Sequence, residues 1–153
     1  ASSLKCYMAD TGLLVSLAFD DGPDLMDVHR DIQFGRISIN KGMLIENIVA
    51  QQLKSLGHSL FYYSWQEPSK TEGSRPRTRE IDFLVSRGFE DAAGKPRVTP
   101  VEVKSSKSYS TISLDDFGRR FERRVGEEIV LHPKQLRAEG HRIYLPLYMT
   151  IFI

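Results

Sequence analysis

The chain has one cysteine, Cys6, so no disulfide can form within it, and a reducing compartment, the cytoplasm, is the expected setting. It has no apolar run near the roughly 20 residues that a spanning helix needs. The longest, GLLVSLAF near the start and IYLPLYMTIFI at the end, are too short, and no membrane partner is expected. Neither sign of charge is in excess. With 21 basic and 20 acidic residues there is no overall basic field to announce nucleic acid, so such a partner has to be argued from local clusters. His29, His58, His132 and His141 form neither HxxxH nor His/Cys spacings, which gives no zinc site and leaves them as surface or turn residues. GxxxxGK[ST] is missing as well, so ATP binding would belong to another module. No repeat is visible, and nothing at the start, Ala1-Ser2-Ser3, reads as a signal peptide.

What is present is an ordinary globular composition, 41% hydrophobic and 27% charged, on 153 residues, enough for one well-covered core. The chain reads as a single domain over 1–153, excised from something longer. MLIENIVAQQLKSLG repeats apolar residues at helical spacing, with Ile45, Val49, Leu53 and Leu56 in one sector, Ile48 beside it, and Gly57 as the C-cap. Asn47, Gln51 and Lys54 fall on the opposite side. SLFYYSW, EIDFLVS and VTPVEVKS read as strands, the second and third forming a long-looped hairpin. The polar stretch 68–79, PSKTEGSRPRTR, reads as a loop. Ser113 is the expected cap of a helix LDDFGRRFERR, with Asp116 completing a loose capping box. A strand EEIVL, a polar turn HPKQLRAEG and a terminal strand broken at Pro146 complete an α/β pattern with an antiparallel portion.

Four residues carry candidate chemistry. On the first helix Glu46 falls within about 60° of the centre of the apolar sector, either as a solvated boundary residue or as an acid turned inward that needs a cation. Alternation along EIDFLV puts Ile81, Phe83 and Val85 on one face and Glu80, Asp82 and Leu84 on the other. In VEVK, Glu102 and Lys104 share a face, and hairpin pairing would set Asp82 beside Glu102. Two carboxylates so placed repel unless a hard cation such as Mg²⁺ lies between them; Lys104 alone could instead form a local salt bridge. An inward acid, an aspartate and a Glu-x-Lys are together the parts that metal-assisted phosphodiester cleavage requires. The carboxylates hold Mg²⁺, and the ammonium positions the attacking water or the leaving region.

The order Glu46, EID with Asp82, and VEVK with Glu102 and Lys104 resembles the PD-(D/E)XK, or restriction-endonuclease-like, nuclease superfamily. More narrowly, KCYMADTGLL, GMLIENIVAQQL, LFYYSW, EIDFLV, PVEVKSS, SLDDF and IYLPLYM together resemble the uncharacterised C-terminal domain that follows the ATPase core in many bacterial and archaeal AAA-type ATPases. The resemblance implies a central mixed β-sheet flanked by helices. It also implies Asp82 and Glu102 as Mg²⁺ ligands, Glu46 as a supporting acid, Lys104 as the catalytic lysine, DNA as substrate and an AAA-type ATPase module in cis. Ile81 stands where the superfamily's name has proline.

Two basic clusters could hold phosphates with a salt-sensitive, sequence-blind affinity. Arg119, Arg120, Arg123 and Arg124 follow Phe117 at helical spacing; Lys70, Arg75, Arg77 and Arg79 closely precede Asp82. Each could equally be a solvated face. Tyr62, Tyr63 and Trp65 suit base stacking but, as strand aromatics, fit a core better. Besides the nuclease, two readings stand: a non-catalytic module that binds nucleic acid or a partner protein, and an ion-pair network of Arg79, Asp82, Glu102 and Lys104 that fixes strand register.

Overall fold

The computed structural model describes residues 4–18, 41–68, 76–88, 90 and 94–153. Arg75, Lys70 and His29 lie outside the described residues. After an extended N-terminal segment comes α1 (Thr11–Ala18), an element not expected from GLLVSLAF. Asp10 caps it, Oδ1 accepting the Leu13 N–H at 2.7 Å. Then follow α2 (Lys41–Ser55), β1 (Phe61–Glu67), β2 (Arg77–Val85), β3 (Thr99–Val103), α3 (Ile112–Arg120), β4 (Glu128–His132), β5 (Arg137–Glu139), β6 (Arg142–Pro146) and a 3₁₀ turn over Leu147–Phe152.

The strands form one mixed sheet in the order β1-β2-β3-β4-β6-β5. β1, β2 and β3 pair antiparallel, including the expected long-looped hairpin; β3, β4 and β6 run parallel; β5 closes the edge antiparallel to β6. Helices cover both faces. One core, under α2, joins Val49 and Leu53 to Phe83, Val85, Val101, Ile129 and Leu131. The other, under α3, joins Leu114 and Phe117 to Ile81, Val130 and Tyr144, with Tyr63 and Trp65 packed on it as core aromatics.

Local chemistry explains most boundaries. α2 ends because Gly57 takes φ 89°, with the His58 N–H donating to Leu53 O and the Gly57 N–H to Lys54 O, the paired bonds of a Schellman motif. Leu56, expected in the apolar sector, lies past the last turn and is exposed, whereas Asn47, expected outside, is buried. The reason is a second packing side. The N-terminal segment crosses α2, and the Asn47 amide donates to Met8 O and Thr11 Oγ1 and accepts the Met8 N–H.

Several expectations need correcting. The loop does not reach residue 79, since Arg77 and Arg79 already pair on β2 with Glu67 and Trp65. α3 begins at Ile112 with Thr111 before it and no side-chain cap, and it stops at Arg120; Ser113 lies inside the helix, and Arg123 and Arg124 lie on the turn that follows. Beyond Pro146, whose fixed φ suits a change of direction, the chain coils into the 3₁₀ turn rather than continuing as strand. The stretch expected as a plain turn contains β5.

β2 departs from regular pairing with β1. Phe61 pairs with Leu84 but Tyr63 with Ile81, so Asp82 and Phe83 together oppose Tyr62 in a β-bulge. The extra residue breaks strict alternation. Ile81 packs under α3, whereas Phe83 and Val85 pack under α2.

Candidate functional site

Glu46 sits one helical turn before Val49 and Ala50 and is turned inward, half-buried, toward two residues of the N-terminal segment. Its Oε1 accepts a hydrogen bond from Lys5 Nζ at 2.7 Å and one from the Tyr7 hydroxyl at 2.6 Å. The same ammonium lies 2.5 Å from Glu80 Oε1 and 3.6 Å from Asp82 Oδ1. One lysine therefore serves three carboxylates, with the Tyr62 ring 5.6 Å from its nitrogen. Burial opposes the Lys5 charge, but the bonds to Glu46 and Glu80 outweigh it and hold the pKa above its usual value. Burial, then Glu46, push the Tyr7 phenol well up, so it stays a donor.

Asp82 owes its aim to the bulge. Its Oδ2 accepts the Val103 N–H at 2.7 Å, where the β2–β3 ladder has stopped. The carboxylate is pushed up to about 6, chiefly by burial; the Val103 N–H pulls it down, Glu46 raises it and Lys5 lowers it, with Glu102 contributing least.

Glu102 belongs to the other face. It pairs with Val130, a residue of the α3-side core, while its neighbours Val101 and Val103 pack under α2. Its side chain is 5% exposed, and Lys104 Nζ lies 2.9 Å from Oε1. Oε2 is buried with no hydrogen-bond partner. Burial raises the Glu102 pKa, against the pull of Lys104 and Arg142. Nearby, Arg142 bridges Asp115 at 2.6 Å and Glu128, itself fully buried, at 2.6 Å; these two carboxylates outweigh burial and keep its guanidinium charged.

The structure thus brings Glu46 and Asp82 together around Lys5, and Glu102 and Lys104 together as a pair, but it sets the two groups on opposite faces of the sheet. No three of the described His, Cys, Asp and Glu residues approach closely enough to share a metal. Asp82 and Glu102 have the donor set that suits Mg²⁺, and the Glu102 charge raises the Asp82 carboxyl, but each is engaged by partners of its own, the Val103 N–H and Lys5 for Asp82 and Lys104 for Glu102. Arg79 has a separate partner set, bonding Glu67 at 2.7 Å with Asp116 at 3.9 Å, so the four-residue register network resolves into three local sets.

Of the basic residues, Arg77 is exposed on β2, and Arg119, Arg120, Arg123 and Arg124 are exposed at the C-terminal end of α3 and the turn after it. Arg119 bonds Asp116. α3 returns the chain from the end of β3 to the start of the parallel β4, so these arginines stand at the opposite end of the parallel strands from Lys104.

Lys5, Tyr7 and Arg142 do not stand out in the sequence, and Glu80 reads only as a neighbour of Asp82 on its strand. Lys5 and Tyr7 alternate in an extended segment before a capped helix, a signal too short to interpret without the partner helix. His132, expected at the surface, is fully buried at the end of β4. Its Nε2 can only donate to Gln135 O, so Nδ1 accepts from the Tyr109 hydroxyl at 2.7 Å; burial lowers the pKa and keeps the ring neutral.

Among the described residues no helix is long and apolar enough to cross a membrane. A family model described as Domain of unknown function (DUF4143) matches residues 41–150. No curated protein and no solved structure matches the chain.

Proposed function

The chain belongs to the DUF4143 family, and we propose that it is a non-catalytic module that binds nucleic acid through the arginine-rich end of α3. The observation that carries this reading is a contrast in how charges are used. The acids Glu46, Asp82 and Glu102 are engaged by Lys5, Tyr7, the Val103 N–H and Lys104. Arg120, Arg123 and Arg124 are exposed with no ion pair among the described residues. Exposed guanidinium groups clustered on one end suit phosphate backbones, which they bind without reading sequence. In the setting the resemblance implies, the module follows an AAA-type ATPase core in the cytoplasm, ATP is handled by that core, and the mixed sheet with its crossover helix is a restriction-endonuclease-like scaffold whose nuclease site is vestigial.

Fluorescence anisotropy with labelled single- and double-stranded DNA and with RNA tests the reading. Binding is expected to weaken with salt, and the Arg119→Ala, Arg120→Ala, Arg123→Ala triple variant is expected to lower the slope of log K against log salt by about 2 to 3. A triple variant that binds like the wild type would sink the proposal.

One observation favours a second reading, Mg²⁺-dependent cleavage of DNA: the unpartnered Oε2 of Glu102 beside Lys104. Incubation of labelled DNA with Mg²⁺ or Mn²⁺ separates the two. Cutting that disappears in both Lys104→Ala and Asp82→Asn would replace the binding module with the nuclease.

A further inference from the structure

A cleft of about 810 Å³ opens between α3 and the starts of β3, β4 and β6, within the range of small-molecule sites, roughly 300–1,000 Å³. It contains none of Glu46, Asp82, Glu102 or Lys104. Three arginines and three carboxylates line it, and their pairing is uneven. Arg142 holds Asp115 and Glu128, and Arg119 bonds Asp116, which is outside the lining. Arg97 and Glu122 are left with no ion pair among the described residues, and Arg97 Nε is buried with no hydrogen-bond partner.

A buried guanidinium donor without an acceptor is unfavourable unless something occupies the site. A bare anion satisfies Arg97 but leaves the unpaired Glu122 carboxylate beside it without a donor. A ligand that carries an anion at one end and hydrogen-bond donors at the other satisfies both. A nucleotide with an exocyclic amino group is such a ligand, since carboxylates accept from the cytosine amino group. Ile112, half-exposed, gives an apolar wall for a base plane.

Resting on the nucleic-acid-binding reading, we propose that this cleft receives one unstacked nucleotide of a single strand, its phosphate on Arg97 and Arg119 and the donor edge of its base on Glu122. Single-stranded nucleic acid is commonly recognised in this way, by splayed bases read on their edges.

The test is anisotropy of short labelled oligo(dC) and oligo(dT) with the wild type, Arg97→Ala, Glu122→Ala and the double variant Arg120→Ala, Arg123→Ala. The wild type is expected to prefer oligo(dC) by about fivefold or more. Arg97→Ala weakens both oligonucleotides about tenfold, the loss of one charge-assisted contact. Glu122→Ala, which alters only an exposed side chain and keeps the fold, abolishes the preference, so that oligo(dC) and oligo(dT) bind alike. An unchanged preference in Glu122→Ala, with binding lost only in the double variant, overturns the cleft and leaves the nucleic-acid reading intact. Absence of binding to either strand overturns both.

Discussion

Arg142 and Gly118 meet at one buried carboxylate. Glu128 is held by the Arg142 guanidinium, and a Cβ on Gly118 would run into Glu128 Oε1. Alanine normally favours a helix interior by about 1 kcal/mol over glycine. Here the overlap reverses that sign, because the carboxylate cannot move without losing its arginine. Gly118→Ala is therefore expected to destabilise the fold by about 1–3 kcal/mol in urea denaturation. Arg142→Met, which leaves the buried Glu128 only the His141 ring, 3.4 Å away, is expected to cost about 3–5 kcal/mol. If both variants melt like the wild type, Glu128 is not held as described. Asp82 gives a pH signature. Its carboxyl titrates at about 6 in the folded chain against 3.8 in the unfolded one. The folded state therefore binds the proton more tightly, so stability falls as pH rises between those values and is flat above them. Over that window the wild type should lose up to about 3 kcal/mol that Asp82→Asn does not. Parallel stability curves for the two proteins across pH 4–7 would show that Asp82 is not the group responsible.

At the scale of elements, the sequence was informative wherever one periodicity governed a segment. The α2 apolar stripe, the antiparallel strands around EIDFLVS and VTPVEVKS, and β4 all follow from local spacing. Where a residue serves two neighbours, local spacing misleads. Asn47 reads as polar and outward, yet it is buried because the N-terminal segment needs its amide. Asn47→Ala should cost about 1–3 kcal/mol, the loss of a buried donor and acceptor set, measurable by thermal or urea unfolding. Asp82 and Glu102 read as cross-strand neighbours on strict alternation. The bulge is invisible to any period-2 pattern, and it puts Asp82 under α2 and leaves Glu102 under α3. The separation of the expected site into two groups is thus a backbone property. No identity of residues 82, 102 or 104 announces it.

On the scale of the whole molecule, charge is distributed by face and by end. The acids of the expected site take their cations within each face, Lys5 on one and Lys104 on the other, while Arg120, Arg123 and Arg124 stand at the far end of the parallel strands. A chain of net charge +1 can in this way carry a local cationic end without an overall basic field. The N-terminal segment shows another whole-molecule property, the order in which parts come free. Its hydrogen bonds to α2 join residues 36 to 43 positions apart, and closing so long a loop adds an entropic cost that β1–β2 pairing does not bear. Few apolar contacts secure the segment, whereas β3 and β4 lie in the centre of the sheet. In native-state hydrogen exchange the Met8 amide should therefore open at lower free energy than those of Val101 and Leu131. The Lys5 ammonium would leave with it, so for a small fraction of the time the intact fold holds Glu46, Glu80 and Asp82 with no internal counter-ion.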